Sequence, residues 1–333
     1  MQRCNSVTVN HQSLLKKVHS NRAGVSVWNV LAVIFVFGLF FALFFPACQS
    51  VRGPSRRVEC LNNLKQLALA THNYAASRNG ELPLLEDGTY GWPVALLPSL
   101  DANAVYRDFT AKSGASKTPI WIRAFTCPDD PNNDRQSMGL SYVANAGYGN
   151  FRVDSKTGRV TEVGTHTADI DWDGDGNIDD DDRAVSRASG VFWRSHNDGF
   201  RMTLDYIEQG DGMGQTIMFS ENLNAHNWAS RKTMDIAFVM GRDALGFEKQ
   251  SSDDGPLQIQ SKTLGAFWMN SNDGSLPGQS PVPSSSHPTL VFVAFCDGRV
   301  QTLSKNINPR IFARLMTPNG DNFGQPLLRA NEF

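Results

Sequence analysis

The sequence has no excess of positive charge: 31 basic residues stand against 33 acidic ones. Without a basic field there is nothing to hold a polyanion, which argues against a nucleic-acid partner. Cysteine is also sparse. The five cysteines, Cys4, Cys48, Cys60, Cys127 and Cys296, include no C-x-x-C pair, so neither a zinc ribbon nor a dense disulfide framework is indicated. Nor does any spacing bring together an acid, a base and a nucleophile, and the chain reads as a protein other than an enzyme.

Charge is missing altogether from residues 25–45, VSVWNVLAVIFVFGLFFALFF. At 1.5 Å per residue that run is long enough to cross a hydrocarbon core of roughly 30 Å. It reads as a transmembrane helix behind a basic leader, residues 1–24. Lys16, Lys17 and Arg22 before it are matched by Arg52, Arg56 and Arg57 after it, so charge counting does not orient it. If the C-terminal part is exported, Cys60 with Cys127 is the preferred bridge, because Cys48 lies at the membrane boundary and Cys4 precedes the anchor; free buried thiols are the alternative.

From Val58 onward, Leu61, Leu64, Leu67, Ala68, Thr71 and Ala75 recur at spacings of three and four, the pattern of an amphipathic helix. Residues 46–78 are therefore a stalk helix, and Gly53-Pro54 predicts a break in it. Residues 79–333 change character to short apolar runs separated by Gly, Pro, Asn and Asp, as in a β-rich domain. Strands are expected over 191–194, 201–207, 216–220, 236–240, 290–296 and 299–304. Asp297-Gly298 between the last two predicts a hairpin with a type I′ turn, which needs positive φ at both central residues.

One segment has the spacing of a metal loop. In residues 171–182, Asp171, Asp173 and Asp175 occupy the first, third and fifth positions, with Gly176 at the sharp turn. Asn177 would offer its backbone carbonyl, Asp179 would act through water, and Asp182 stands at the twelfth position, where an EF-hand carries Glu. A hard dication such as Ca²⁺ prefers oxygen ligands and offsets the repulsion among gathered carboxylates. The alternative is a solvated acidic loop.

Several blocks resemble a known family. Asn21-Arg22-Ala23-Gly24 followed by Val25-Ser26-Val27-Trp28-Asn29 resembles a type IV prepilin leader, which implies cleavage between Gly24 and Val25 and methylation of the new N-terminus. The stalk, with Arg56-Arg57-Val58-Glu59-Cys60-Leu61-Asn62-Asn63-Leu64, is similar to that of a large pseudopilin-like family with an uncharacterised head. His287, nine intervening residues and then Asp297-Gly298 resemble that head's H-x9-D-G signature, and Gln215 to Asn222 resembles its mid-domain block. The family has Glu at the fifth position after cleavage, where this chain has Asn29. His287 reads as a structural donor before a strand, and Asp297 is accounted for by its turn.

The fold class expected is α+β, a long N-terminal transmembrane and stalk helix packed on a β-rich pilin-like head. The resemblance implies a structural or interaction protein of the cell envelope. Its anchor would lie in the inner (cytoplasmic) membrane, its head would be exported to the periplasm or cell surface, and its partners would be the membrane and copies of itself or other pilin-like subunits. The competing reading is a membrane-tethered, calcium-dependent solute- or carbohydrate-binding module, with Trp172 or Trp193 as stacking surfaces.

Overall fold

The computed structural model describes residues 26–49, 52–111, 119–149, 151–153, 160–162, 170–172, 175–241, 278, 280–323, 325 and 328. In chain order these form α1 (Val27–Gln49), α2 (Arg52–Ala76), α3 (Trp92–Leu96), α4 (Asn103–Thr110), β1 (Tyr142–Gly149), β2 (Phe151–Val153) and β3 (Val160–Glu162). They continue with α5 (Asp180–Ser189), α6 (Leu204–Gln209), β4 (Ile217–Glu221), α7 (Thr233–Ile236), β5 (Ala237–Gly241), β6 (Leu290–Phe295), β7 (Val300–Ser304) and α8 (Pro309–Met316). Two compact units divide the chain, Met1–Arg52 and Gly53–Phe333.

The first unit holds α1. Its described side chains end at Phe41 and are solvent-exposed, from Val27 at 72% and Trp28 at 80% to Phe41 at 60%. Among the described residues no helix is long and apolar enough to cross a membrane. The expected transmembrane anchor over 25–45, and with it the placement in the inner membrane with an exported head, is corrected on this finding.

In the second unit, α2 follows the predicted stripe. Leu64, Leu67, Ala68, Thr71 and Ala75 are buried, whereas Val58, at its start, is 55% exposed. The run expected as one stalk is divided between α1, which ends at Gln49, and α2, which begins at Arg52, and Gly53-Pro54 lies in the first turn of α2, where proline is tolerated because those N–H groups have no intrahelical acceptor. Asn79 and Gly80, both with positive φ, end the run, and the Gly80 N–H closes on the Ala75 carbonyl at 2.9 Å.

The main sheet has the order β5-β1-β4-β6-β7. β1, β4, β6 and β7 pair antiparallel, while β5 joins β1 in parallel. The α+β expectation is corrected accordingly: the sheet is mixed, and helices interleave with its strands along the whole unit. β1 and β4 are buried at every position and β6 at all but Leu290, so both faces of these strands are covered, and β6 reads as a continuous apolar run and not as alternation. Trp92 anchors the core, its indole N–H donating to the Ile236 carbonyl at 2.8 Å and its ring 4.9 Å from that of Phe219.

The strands expected over 216–220, 236–240, 290–296 and 299–304 correspond to β4, β5, β6 and β7. Residues 201–207 instead enter α6, because the Thr203 hydroxyl accepts the Tyr206 N–H and caps a helix. Residues 191–194 make only an isolated bridge between Arg194 and Glu86. The β6–β7 turn also differs from type I′. Gly298 has φ +84° but Asp297 is not at positive φ, and the Gly298 N–H returns to the Phe295 carbonyl. This is a three-residue loop ending in a left-handed glycine.

Candidate functional site

The most distinctive chemistry lies where β4 ends. Glu221 is the last residue of β4, 3% exposed, and its Oε2 accepts the Phe292 N–H of neighbouring β6 at 2.9 Å. His287 precedes β6 and is also 3% exposed. Its backbone N–H donates to the Ser285 hydroxyl at 2.9 Å, which fixes the loop, and its ring lies 4.4 Å from that of Phe292. Nε2 stands 3.4 Å from Glu221 Oε1, within ion-pair reach, yet it makes no hydrogen bond of acceptable geometry. Nδ1 faces Asp129 Oδ2 at 3.7 Å. Burial pushes the Glu221 carboxyl above the ordinary carboxylate range, and His287 and the Phe292 N–H offset part of that.

Beside this pair runs a disulfide, Cys60–Cys127, which ties α2 to the loop carrying Asp129 and Asp130. The preferred bridge is therefore the one formed, and Cys296 is a buried free thiol that burial raises well above the usual thiol range. Asp130 accepts from the Asn132 N–H and the Asn133 amide. Burial nevertheless raises its carboxyl to about 6. A small pocket opens here, lined by Cys127, Asp130, Ser141, Glu221, Asn222 and Ser284–Ser286.

Two serines of that pocket, Ser284 and Ser285, direct their hydroxyl protons to other acceptors. The Ser284 hydroxyl donates to Asn222 Oδ1 and the Ser285 hydroxyl to the Leu290 carbonyl, so neither proton is offered to His287. Nor does His287 meet Asp297. The two flank β6 at opposite ends, roughly 20 Å apart for a strand of that length, and Asp297 Oδ1 accepts the Arg299 N–H of its own turn. The H-x9-D-G spacing thus brackets a strand and does not build a dyad.

The expected calcium loop is described in part; Asp173 lies outside the described residues, as do Gly24 and Val25 of the expected cleavage site. Asp171 Oδ2 accepts the Gly176 N–H at 3.0 Å, Asp175 Oδ1 accepts the Asn177 N–H at 2.7 Å, and Gly176 takes φ +94°. Asp182 sits in the first turn of α5, with Oδ1 accepting the Trp172 N–H and Oδ2 the Asp179 N–H. Asp179 caps α5 through the N–H groups of Asp181 and Asp182, completing a capping box. Trp172 and Trp193, expected as stacking surfaces, are only 3% and 5% exposed. They belong to the core and present no face to a sugar.

Sequence reasoning missed Glu221, Asp129 and Asp130 as site residues. The available signal was a carboxylate closing an otherwise apolar strand, since a charge there is buried only with a partner. The family model described as a protein of unknown function (DUF1559) matches residues 49–310. The chain belongs to that family. The DUF1559 match spans α2, the disulfide and the Glu221–His287 pair, and leaves most of α1 outside it. No curated protein and no solved structure matches the chain.

Proposed function

We propose that this DUF1559 chain is a pilin-like structural or interaction protein, of the kind that carries a prepilin-type N-terminus and an H-x9-D-G head, and that it assembles with further copies of itself through α1. It acts by association and not by catalysis. The observation that carries this reading is the exposure of α1. Trp28, Ile34, Phe35 and Phe40 are 80%, 61%, 70% and 57% exposed, and apart from Asn29 the positions between them are apolar too. A helix apolar on every side is stable when surrounded, and exposed apolar surface of this extent marks an interaction site. The helices of neighbouring copies supply matching surface.

Asn29 limits that assembly. A carboxylate there would make a charge-assisted contact with a neighbour's amino terminus in a dry core, whereas an amide gives only a neutral hydrogen bond. Asn29→Glu should therefore increase the size of the assemblies seen by cross-linking of the full chain. An unchanged ladder would show that this position takes no part.

The loop 171–182 supports a second, accessory reading: it holds Ca²⁺ through Asp171, Asp173, Asp175, the Asn177 carbonyl and Asp182. In favour are the left-handed Gly176, the Gly176 N–H that orients Asp171, and the entry of Asp182 into the first turn of α5. An ion bound only by the folded form stabilises by about 1.4 kcal/mol at roughly tenfold saturation. Chelation should lower the melting temperature, and Asp175→Ala should remove that difference while leaving a folded chain. Calorimetry showing neither binding heat nor a calcium-dependent shift returns the segment to a solvated acidic loop.

A further inference from the structure

The sulfur atoms of Cys60 and Cys127, the Glu221 carboxylate and the His287 ring place one ligand atom each within 4.8 Å of the others. In a tetrahedral zinc site with two thiolates, an imidazole and a carboxylate, the ligand atoms stand about 3.3–3.8 Å apart, given bonds of roughly 2.0–2.3 Å. The imidazole and the carboxylate thus stand within about 1–1.5 Å of their places in such a tetrahedron, and the sulfurs must part to the same spacing once reduced. As they stand the sulfurs are bonded to each other and cannot bind as thiolates.

We propose that reduction of the Cys60–Cys127 bridge converts this buried cluster into a zinc-class metal site, with Cys60 Sγ, Cys127 Sγ, His287 Nε2 and Glu221 Oε1 as ligands.

Three independent features favour it. His287 Nε2 is buried, makes no hydrogen bond and lies 3.4 Å from Glu221 Oε1, so a ring nitrogen is turned into the cluster. Its other nitrogen faces Asp129 at 3.7 Å, the carboxylate arrangement that commonly orients a metal-bound histidine. Glu221 has its second oxygen held by the Phe292 N–H, leaving Oε1 turned to His287. Access is available as well. Cys127 lines the pocket that reaches Ser286, which is exposed.

The chemistry balances. A small dithiol reductant transfers two electrons and two protons to the bridge, giving two cysteine thiols and the reductant's own disulfide. Zn²⁺ then binds the two sulfurs as thiolates, and two protons leave to solvent. The ion takes up the negative charge that the pair of thiolates and Glu221 would otherwise crowd together.

Cobalt(II) is the probe, because thiolate-to-metal charge transfer and the visible bands of tetrahedral cobalt report both ligand type and geometry. The full chain is reduced with dithiothreitol under anaerobic conditions, desalted and titrated with Co²⁺ beside the oxidised chain. The reduced chain should take up one equivalent with a tetrahedral, thiolate-type spectrum that Zn²⁺ displaces, and the oxidised chain should show none. His287→Gln should abolish that spectrum, and Asp129→Asn, a change at a positioning residue, should weaken binding roughly 10- to 100-fold. Cys296→Ser should leave it intact, and far-UV circular dichroism before metal addition checks that each reduced variant keeps its fold. The proposal is overturned if the folded, reduced chain gives no such spectrum, if reduction unfolds the chain before metal binds, or if the spectrum persists in His287→Gln and so arises from other thiols.

Discussion

Asp130 is 2% exposed and hydrogen-bonded to Asn132 and Asn133, yet its carboxyl is raised from 3.8 to about 6 because burial outweighs those bonds. The folded state therefore favours the protonated acid. The stability this contributes is complete below the unfolded value near 4 and is lost as pH rises through about 6. Relative to Asp130→Asn, the natural chain should lose on the order of 3 kcal/mol of unfolding free energy between pH 4 and pH 7, measured by urea denaturation at each pH. A flat difference would mean that Asp130 is solvated. A second single-residue test concerns backbone contact. A methyl at Gly190 would lie 2.4 Å from the Gly147 nitrogen and 2.5 Å from its Cα, so the turn after α5 meets β1 with no room for a side chain. Gly190→Ala should cost about 3 kcal/mol, at the upper end for overpacking, and a cost below about 1 kcal/mol in the same assay would show that this contact is loose.

At the scale of elements, α2 belongs to the core and is no detachable stalk. It buries Cys60, Leu64, Leu67, Ala68, Thr71 and Ala75 and carries one half of the Cys60–Cys127 bridge. Each leucine contributes about 2 kcal/mol by burial and a native disulfide roughly 2–5 kcal/mol, together comparable with the whole stability of a domain. A chain beginning at Gly53 should unfold cooperatively, and one beginning at Asn79 should show no cooperative transition; a sharp transition in the shorter chain would contradict this. The stripe that makes α2 so important was readable because its period is helical and its buried residues are apolar. β4 to β7 were readable for a similar reason, being β-branched and aromatic runs between turn residues. β1 was not. Its sequence Tyr-Val-Ala-Asn-Ala-Gly-Tyr-Gly looks like turn punctuation, and it is a central strand only because Asn145 donates to the Ile217 and Met316 carbonyls, both at 2.7 Å, and Gly147 lets Gly190 approach. Those are tertiary facts with no local signature. The same limit explains the site. The Cys60–Cys127 pair could be ranked from the sequence, but Glu221 and His287 come together only through the pairing of β4 with β6.

The whole molecule comprises a unit carrying an uncovered apolar helix and a unit with a closed core, and the functional account rests on the first being completed by other copies. Sedimentation velocity of the full chain in lipid-free buffer, over a range of concentrations, tests this most directly. Concentration-dependent oligomers are expected, lost when Phe35 and Phe40 are both replaced by Lys while the melting transition of the second unit is unchanged. A full chain that stays monomeric at every concentration, or whose oligomers survive Phe35→Lys with Phe40→Lys, would contradict it.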